Sequence, residues 1–414
     1  MAAEIDVLST VVEISVLIFF AKVLGELCQR VKVPAVIGEI LAGIILGPYA
    51  LGGALSSFGL PAIEFNVLLD AFAEIGSIII LFAAGLEITF AEFRATGLSS
   101  LTIGALGVIV PFFSGYSLTI FLGYDWNVAI LFGAALTATS IAVTVRVLED
   151  LGKIHTEDAR IMINSAVIDD VLGLAVLSIV TSLFRSGIAP EISNIVLLTG
   201  QALLLWLALL LGAVYLLPRF INITKLSTSE GPVEAAATAS CFGLSALAAA
   251  FGLSPIVGAF AAGMATASSR AIGKIREFIV KLKLIFGPIF FAYIGMQLDI
   301  HQIPSLSILF FVALFAVAIG SKIIGCGLPA MVFMRDPDRG LRIGIGMISR
   351  GEVGFIVAGI GLTSGALQQD SYAALLTVIM ATTLITPFLL RRSFLRPILR
   401  REKNSSEKAD PKAK

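Results

Sequence analysis

The chain has 414 residues, 57% of them apolar and 14% charged, with a formal net charge of zero. A mean hydropathy of +0.97 describes a protein whose main solvent is lipid, leaving no room for a soluble domain. The balanced charge carries no footprint of a nucleic-acid partner. Cys28, Cys241 and Cys326 are scattered singly without metal-ligand spacing, so neither disulfides nor a structural metal is expected. His155 and His301 read as solvated loop residues, and no Ser/His/Asp or HExxH set suggests an enzyme.

From the N-terminus, which has acids in place of a signal peptide's basic region, hydropathy marks thirteen transmembrane helices of an all-α polytopic membrane protein. They are 8–29, 34–49, 66–88, 97–121, 127–148, 158–184, 194–217, 232–251, 254–269, 277–298, 304–334, 340–363 and 370–390. The second and ninth are short and Gly-rich, each beginning at a proline (Pro34, Pro255), which favours a helix start. Residues 391–414 are polar, highly charged and expected to be a disordered tail.

Taking alternate loops, all but four of the 29 Lys and Arg residues collect on one side, with Arg185 alone on the other. The remaining three, Lys22, Lys322 and Arg350, lie inside spans. By the positive-inside bias, the N-terminus is outside and the C-terminus cytoplasmic. The Gly344-x-Gly346 pair has Ser349 where a dinucleotide fingerprint needs a third glycine, and it lies in a membrane helix. No soluble nucleotide-binding domain is therefore expected in this chain.

Two segments repeat. Pro34 to Gly43 (PAVIGEILAG) recurs as Pro255 to Gly263 (PIVGAFAAG), and Phe82 to Ile88 (FAAGLEI) recurs as Phe291 to Ile300 (FAYIGMQLDI). Both pairs occur in the same order at offsets of about 220 and 210 residues, which points to a duplication of helices 1–6 as helices 8–13. The odd seventh helix inverts one half relative to the other, the architecture of many secondary transporters. Helices 5 and 12 occupy matching places and carry polar sequence at mid-span, Thr137-Ala-Thr-Ser140 and Ser349-Arg-Gly-Glu352, where both are expected to be broken.

Helix 6 carries Asp169 and Asp170, helix 11 Lys322, and helix 12 Arg350 and Glu352. Each charge costs about 2.5–3.5 kcal/mol at a helix centre, so these groups must be paired, hydrated or functional. Neighbouring residues on a helix diverge by about 100°, so one aspartate can meet Lys322 while the other meets water. A carboxylate in such a cavity is balanced between holding H+ and holding Na+, and competition for one site is exchange. Na+ prefers oxygen ligands, and Thr137, Thr139 and Ser140 are shell candidates beside Asp170 and Asp169. Arg350 can neutralise the broken helix ends, with Glu352 as its partner. Glu13, Glu26, Glu39, Asp70, Glu74 and Glu87 lie nearer helix ends or on Gly-rich helices and read as interfacial or structural, with Glu74 at an ambiguous depth.

On these residues the chain resembles the monovalent cation:proton antiporter-2 family, particularly its NapA-like sodium/proton antiporters. Asp169-Asp170 looks like the family's aspartate pair, Thr139 its crossover threonine, Lys322 its core lysine, and Ser349 to Glu352 its Arg-Gly-Glu segment. The resemblance implies exchange of Na+ or Li+ for H+, with no cofactor, in the plasma membrane of a prokaryote. It further implies a homodimer joined through scaffold segments 1–88 and 232–298. Segments 97–184 and 304–390 would be a core moving like an elevator, with 194–217 a linker. An aspartate pair with a lysine implies electrogenic exchange. The alternatives are K+/H+ antiport, an organic-anion symporter and a non-transporting membrane pH sensor.

Overall fold

The computed structural model describes residues 7–54, 63–186, 192–224, 231–299, 301 and 308–409. Among these residues the protein is entirely helical. In chain order the helices are α1 (Val7–Arg30), α2 (Ala35–Leu46), α3 (Leu51–Ala54), α4 (Val67–Leu86), α5 (Phe90–Ala95), α6 (Gly97–Phe121), α7 (Trp126–Ala135), α8 (Ile141–Asp150) and α9 (Glu157–Ser186). There follow α10 (Ile192–Thr224), α11 (Pro232–Ala250), α12 (Pro255–Thr266), α13 (Ile272–Met296), α14 (Ile308–Lys322), α15 (Leu328–Met334), α16 (Pro337–Gly346), α17 (Glu352–Thr363) and α18 (Gln369–Ala409). Ten helical stretches among the described residues are long and apolar enough to cross a membrane; Trp126–Ala135, Pro255–Thr266 and Val353–Thr363 are shorter apolar helices.

Local chemistry sets several helix starts. Asn66 caps α4 by accepting from the Leu69 N–H, and its own amide donates to Glu13 Oε2 at 2.6 Å. A Thr89/Glu92 capping box opens α5. Asp336 accepts from the Asp338 and Arg339 N–H groups, with Pro337 beginning α16. These partners satisfy amide donors that a helix cannot satisfy itself.

The two repeated segments cross-pack. Gly43 of α2 lies so close to α13 that a Cβ would stand 1.8 Å from the Ala292 carbonyl oxygen, and Gly295 of α13 meets the Ile40 carbonyl at 2.1 Å. On the other pair, a Cβ on Gly263 of α12 would stand 2.2 Å from the Phe82 carbonyl oxygen of α4, and one on Gly85 would stand 2.4 Å from that of Phe260. Only glycine admits such backbone approaches, the device by which membrane helices pack without a hydrophobic driving force between them.

Helices α7 and α8 lie in one apolar span interrupted at 136–140, and α16 and α17 in another interrupted at 347–351. The breaks meet: the Ser140 N–H donates to the Ser349 carbonyl at 2.8 Å, and Ser349 Oγ donates to the Ser140 carbonyl at 3.1 Å. Thr144 of α8 donates to the Gly346 carbonyl at 2.6 Å. Each interrupted helix thus supplies the other with partners for the backbone groups that its break exposes, as lipid requires.

The last helix, α18, runs on past Arg391 to Ala409. The sequence from Gln369 to Ala409 contains no glycine to end the helix, and its arginines, lysines and glutamates are good helix formers. Tertiary contacts hold its near part: the Arg342 guanidinium lies 4.5 Å over the Phe394 ring and donates to the Ser393 carbonyl at 3.5 Å. Residues 410–414 lie outside the described residues.

Candidate functional site

The site is assembled around α9. Asp169 is fully buried, and its Oδ1 accepts from Lys322 Nζ at 2.8 Å. The lysine, also fully buried, donates at 2.8 Å to the Gly107 carbonyl of α6 as well. Lys322 ends α14 where the helix widens into a π-turn, Ile323–Gly327, before α15 resumes. Such turns insert an extra residue and redirect side chains, and they recur at functional sites. The other carboxylate oxygen of Asp169 is buried without a protein hydrogen-bond partner.

Asp170 is buried too, at 4% exposure against 0% for Asp169. One turn further along that face, Leu174 lines a cavity of about 370 Å³. Asp70, Glu74, Tyr293, Gln297 and Val353 also line it, so it lies between α4 and α13 on one side and α9 and α17 on the other. Glu74, whose depth the sequence left ambiguous, faces this cavity.

Arg350 lies at the crossover, where its charge meets backbone carbonyls. Its guanidinium donates to the Leu136 carbonyl, to the Ala138 carbonyl at 3.3 Å and to the Ala318 carbonyl at 2.7 Å. The positive charge therefore neutralises the carbonyl end of α7, whose last C=O groups have no helical partners. The Glu352 side chain lies outside the described residues. Thr383 of α18 holds the Arg350 backbone carbonyl at 2.7 Å.

The shell candidates divide. Thr137 Oγ1 donates to the Ala134 carbonyl at 2.7 Å, leaving only its lone pairs for a cation. Thr139 Oγ1 and Ser140 Oγ are buried without protein partners. No group of three or more His, Cys, Asp or Glu residues suited to a resident metal occurs among the described residues. Each histidine stands exposed beside a carboxylate, His155 at 3.4 Å from Glu87 and His301 at 3.4 Å from Asp299.

Sequence reasoning missed the seam at the basic end of the cavity's two walls. Arg146 of α8 pairs with Glu39 of α2 at 3.1 Å, and its neighbour Asp150 accepts from the Ala35 N–H at 3.0 Å. Glu149 pairs with Lys283 of α13 at 2.5 Å. Arg146 looked like an ordinary loop-side cation, and only its proximity to Glu39 across the fold reveals the pairing. The Arg339 and Arg342 pairs with Asp158 likewise tie α16 to α9.

The family model for the transmembrane sodium/hydrogen exchanger matches residues 15–394. The chain is 33% identical over 385 residues to the Na(+)/H(+)-K(+) antiporter GerN of Bacillus cereus, covering 92% of this chain and 95% of that one. It is 32% identical to the high-affinity Na(+)/H(+) antiporter NhaS3 of Synechocystis sp., covering 92% and 88% of the two chains. Its fold matches that of the solved sodium proton antiporter MjNhaP1 from Methanocaldococcus jannaschii, with a TM-score of 0.64 at 16% identity over 93% of this chain and 96% of that one. With a family model spanning nearly the whole chain and full-length relatives above 30% identity, this protein belongs to the sodium/hydrogen exchanger family, beside bacterial antiporters of the monovalent cation:proton antiporter-2 type, and is a multi-pass monovalent cation/proton antiporter, not an enzyme.

Proposed function

We propose that the chain exchanges Na+ or Li+ for protons electrogenically by alternating access, with Asp169 and Asp170 as the groups that take proton and cation in turn. The observation that carries this reading is the fully buried Asp169–Lys322 pair at 2.8 Å beside a second buried aspartate. Two charges held in this low-dielectric environment are costly unless paired. Na+ arriving at Asp170 and the open oxygen of Asp169 competes with Lys322 for the same carboxylate, and that competition couples the cation to proton release. Thr139 and Ser140, with hydroxyls that have no protein partners, complete the oxygen shell. Arg350 balances the crossover without taking part in exchange.

Thirteen spans follow from ten long helices and three that contain the shorter apolar pieces. The inverted repeat is supported by the glycine contacts: adding 220 to Gly43 and Ile40 returns Gly263 and Phe260, while adding 210 to Phe82 and Gly85 returns Ala292 and Gly295, and each contact of one set has its counterpart in the other. Segments 1–88 and 232–298 form the scaffold and homodimer contact, and 97–184 with 304–390 the moving core, connected by 194–217. The N-terminus is outside. On that orientation the cavity opens outward and the ion-paired seam closes the cytoplasmic side.

The test is proton flux in proteoliposomes with an imposed pH gradient and added Na+, Li+ or K+. Collapse of the gradient by Na+ or Li+ in the natural chain and its loss in Asp170→Asn support the reading. Full activity of Asp170→Asn overturns the site assignment. Potassium is the second reading, because the relative GerN carries K+ in its name; stronger collapse by K+ than by Na+ at equal concentration would establish it. Electrogenic exchange predicts that clamping the membrane potential at zero accelerates flux, and that Asp169→Asn loses that acceleration.

A further inference from the structure

Helix α6 contains Pro111 in its interior. Proline has no N–H, so the carbonyl four residues earlier loses its helical donor. That carbonyl is Gly107, and Lys322 Nζ donates to it at 2.8 Å. The lysine can come so near because residue 107 has no side chain: a Cβ there would lie 2.7 Å from Cys326 Sγ, 3.2 Å from Asp169 Oδ1 and 3.7 Å from Lys322 Nζ. Glycine and proline four residues apart thus perform one task, the first giving space and the second freeing an acceptor.

We propose that Gly107 and Pro111 form a positioning socket for the Lys322 ammonium, holding it by the freed carbonyl while Asp169 exchanges its partner. The inference rests on the reading of Asp169 and Lys322 given above. An ammonium has three donors and no acceptor. With two acceptors it shares its charge between Asp169 and the carbonyl, so the carboxylate is released at lower cost when Na+ or a proton arrives. Without the carbonyl, Lys322 would depend on Asp169 alone, and a buried cation losing its only partner is strongly penalised. The repeat provides a parallel: 211 residues after Gly107 stands Ala318, whose carbonyl accepts from the other buried cation, Arg350, at 2.7 Å. In each half a helix carbonyl steadies a buried positive charge.

The experiment restores the missing N–H. Pro111→Ala and Pro111→Gly each give Gly107 its helical donor and weaken its claim on Lys322. Pro218→Ala, at the interior proline of α10, controls for straightening a helix away from the site. In proteoliposomes, both Pro111 variants should raise the apparent KM for Na+ by about threefold to tenfold, the worth of one ordinary hydrogen bond, with Vmax little changed. Pro218→Ala should leave both constants unaltered. A KM in either Pro111 variant equal to that of the natural chain, while Asp170→Asn is inactive, overturns the socket and leaves the site reading intact; an active Asp170→Asn overturns the site reading itself.

A thermal-melting cycle in detergent needs no transport. Pro111→Ala should shift the melting temperature of the natural chain and that of Lys322→Ala by different amounts, because the socket has no ammonium to hold in the second background. Equal shifts in the two backgrounds overturn the proposal.

Discussion

The two ends of the seam between α2, α4 and α13 on one side and α8, α9 and α17 on the other are made of opposite materials. At the basic end, Arg146 binds Glu39, Asp150 accepts from the Ala35 N–H, and Lys283 meets Glu149. At the other end the same groups of helices stand apart around a cavity of about 370 Å³. A seam closed by apolar packing loses its contacts outright when it opens. A seam closed by ion pairs exchanges them for water, and the hydration regained offsets much of the lost attraction. Charged closure at one end and an apolar-walled cavity at the other therefore suit the alternating access proposed above, in which the two halves would separate and rejoin.

Removing the centre of the closed end should have the largest effect. Arg146→Ala leaves Glu39 and Asp150 without their shared cation, and breaking such a buried pair costs about 3–5 kcal/mol in the closed arrangement. Hydrogen exchange over residues 141–150 should accelerate by at least about tenfold, since 1.4 kcal/mol is a factor of ten in an opening equilibrium. Unchanged exchange would mean that the seam is not held by Arg146. Lys283→Met should do less, about 1–3 kcal/mol, because one partly exposed pair is lost while its apolar stem is retained. Exchange in the same segment measures it, and the two variants should rank in this order.

The open end is tested through its charges. Asp70 and Glu74 line the cavity, and a cleft of one sign concentrates counter-ions. The pair Asp70→Asn and Glu74→Gln should raise the apparent KM for Na+ by about twofold at low ionic strength and have no effect near 1 M of an untransported salt, where the Debye length is about 3 Å. An effect insensitive to salt would point to direct ligation.

The smallest effect lies at Glu92. The Thr89 N–H, assisted by the Thr89 hydroxyl and Arg160 and opposed by partial burial, holds its carboxylate below the usual glutamate range. A lowered value in the folded state means that its stabilisation is present in full above the ordinary glutamate value and is lost as pH falls through the lowered one. Glu92→Gln should therefore lower stability at neutral pH by no more than about 0.5 kcal/mol for so exposed a group, read as a small fall in melting temperature. The difference from the natural chain should vanish in acid.

The intramembrane charges were legible because a lysine or aspartate inside a long apolar run stands out against its background. The helix breaks at 136–140 and 347–351 were legible as polar sequence at mid-span. The seam was not, because Arg146 and Lys283 were read as loop-side cations and Glu39 as interfacial or structural, and the pairs join residues more than one hundred positions apart. The Arg350 contacts were legible only in outline: sequence places a cation at the crossover but does not reveal which backbone carbonyls a broken helix leaves free. The tail was read from composition, while its helix is anchored by Arg342 on Phe394.

By itself the sequence determined the membrane class, the apolar spans and the identity of the buried charges, since each follows from the transfer cost of a residue or a run of residues. Only the tertiary structure decided that Lys322 takes Asp169 and the Gly107 carbonyl, that Arg350 holds the crossover carbonyls, and that one end of the seam is paired while the other is open. Transfer energies add along a chain and can be read in order. The pairing of charges depends on which helices approach within hydrogen-bond distance, and here that approach is set by glycines such as Gly43, Gly85 and Gly107, whose role is visible only against the neighbour they admit.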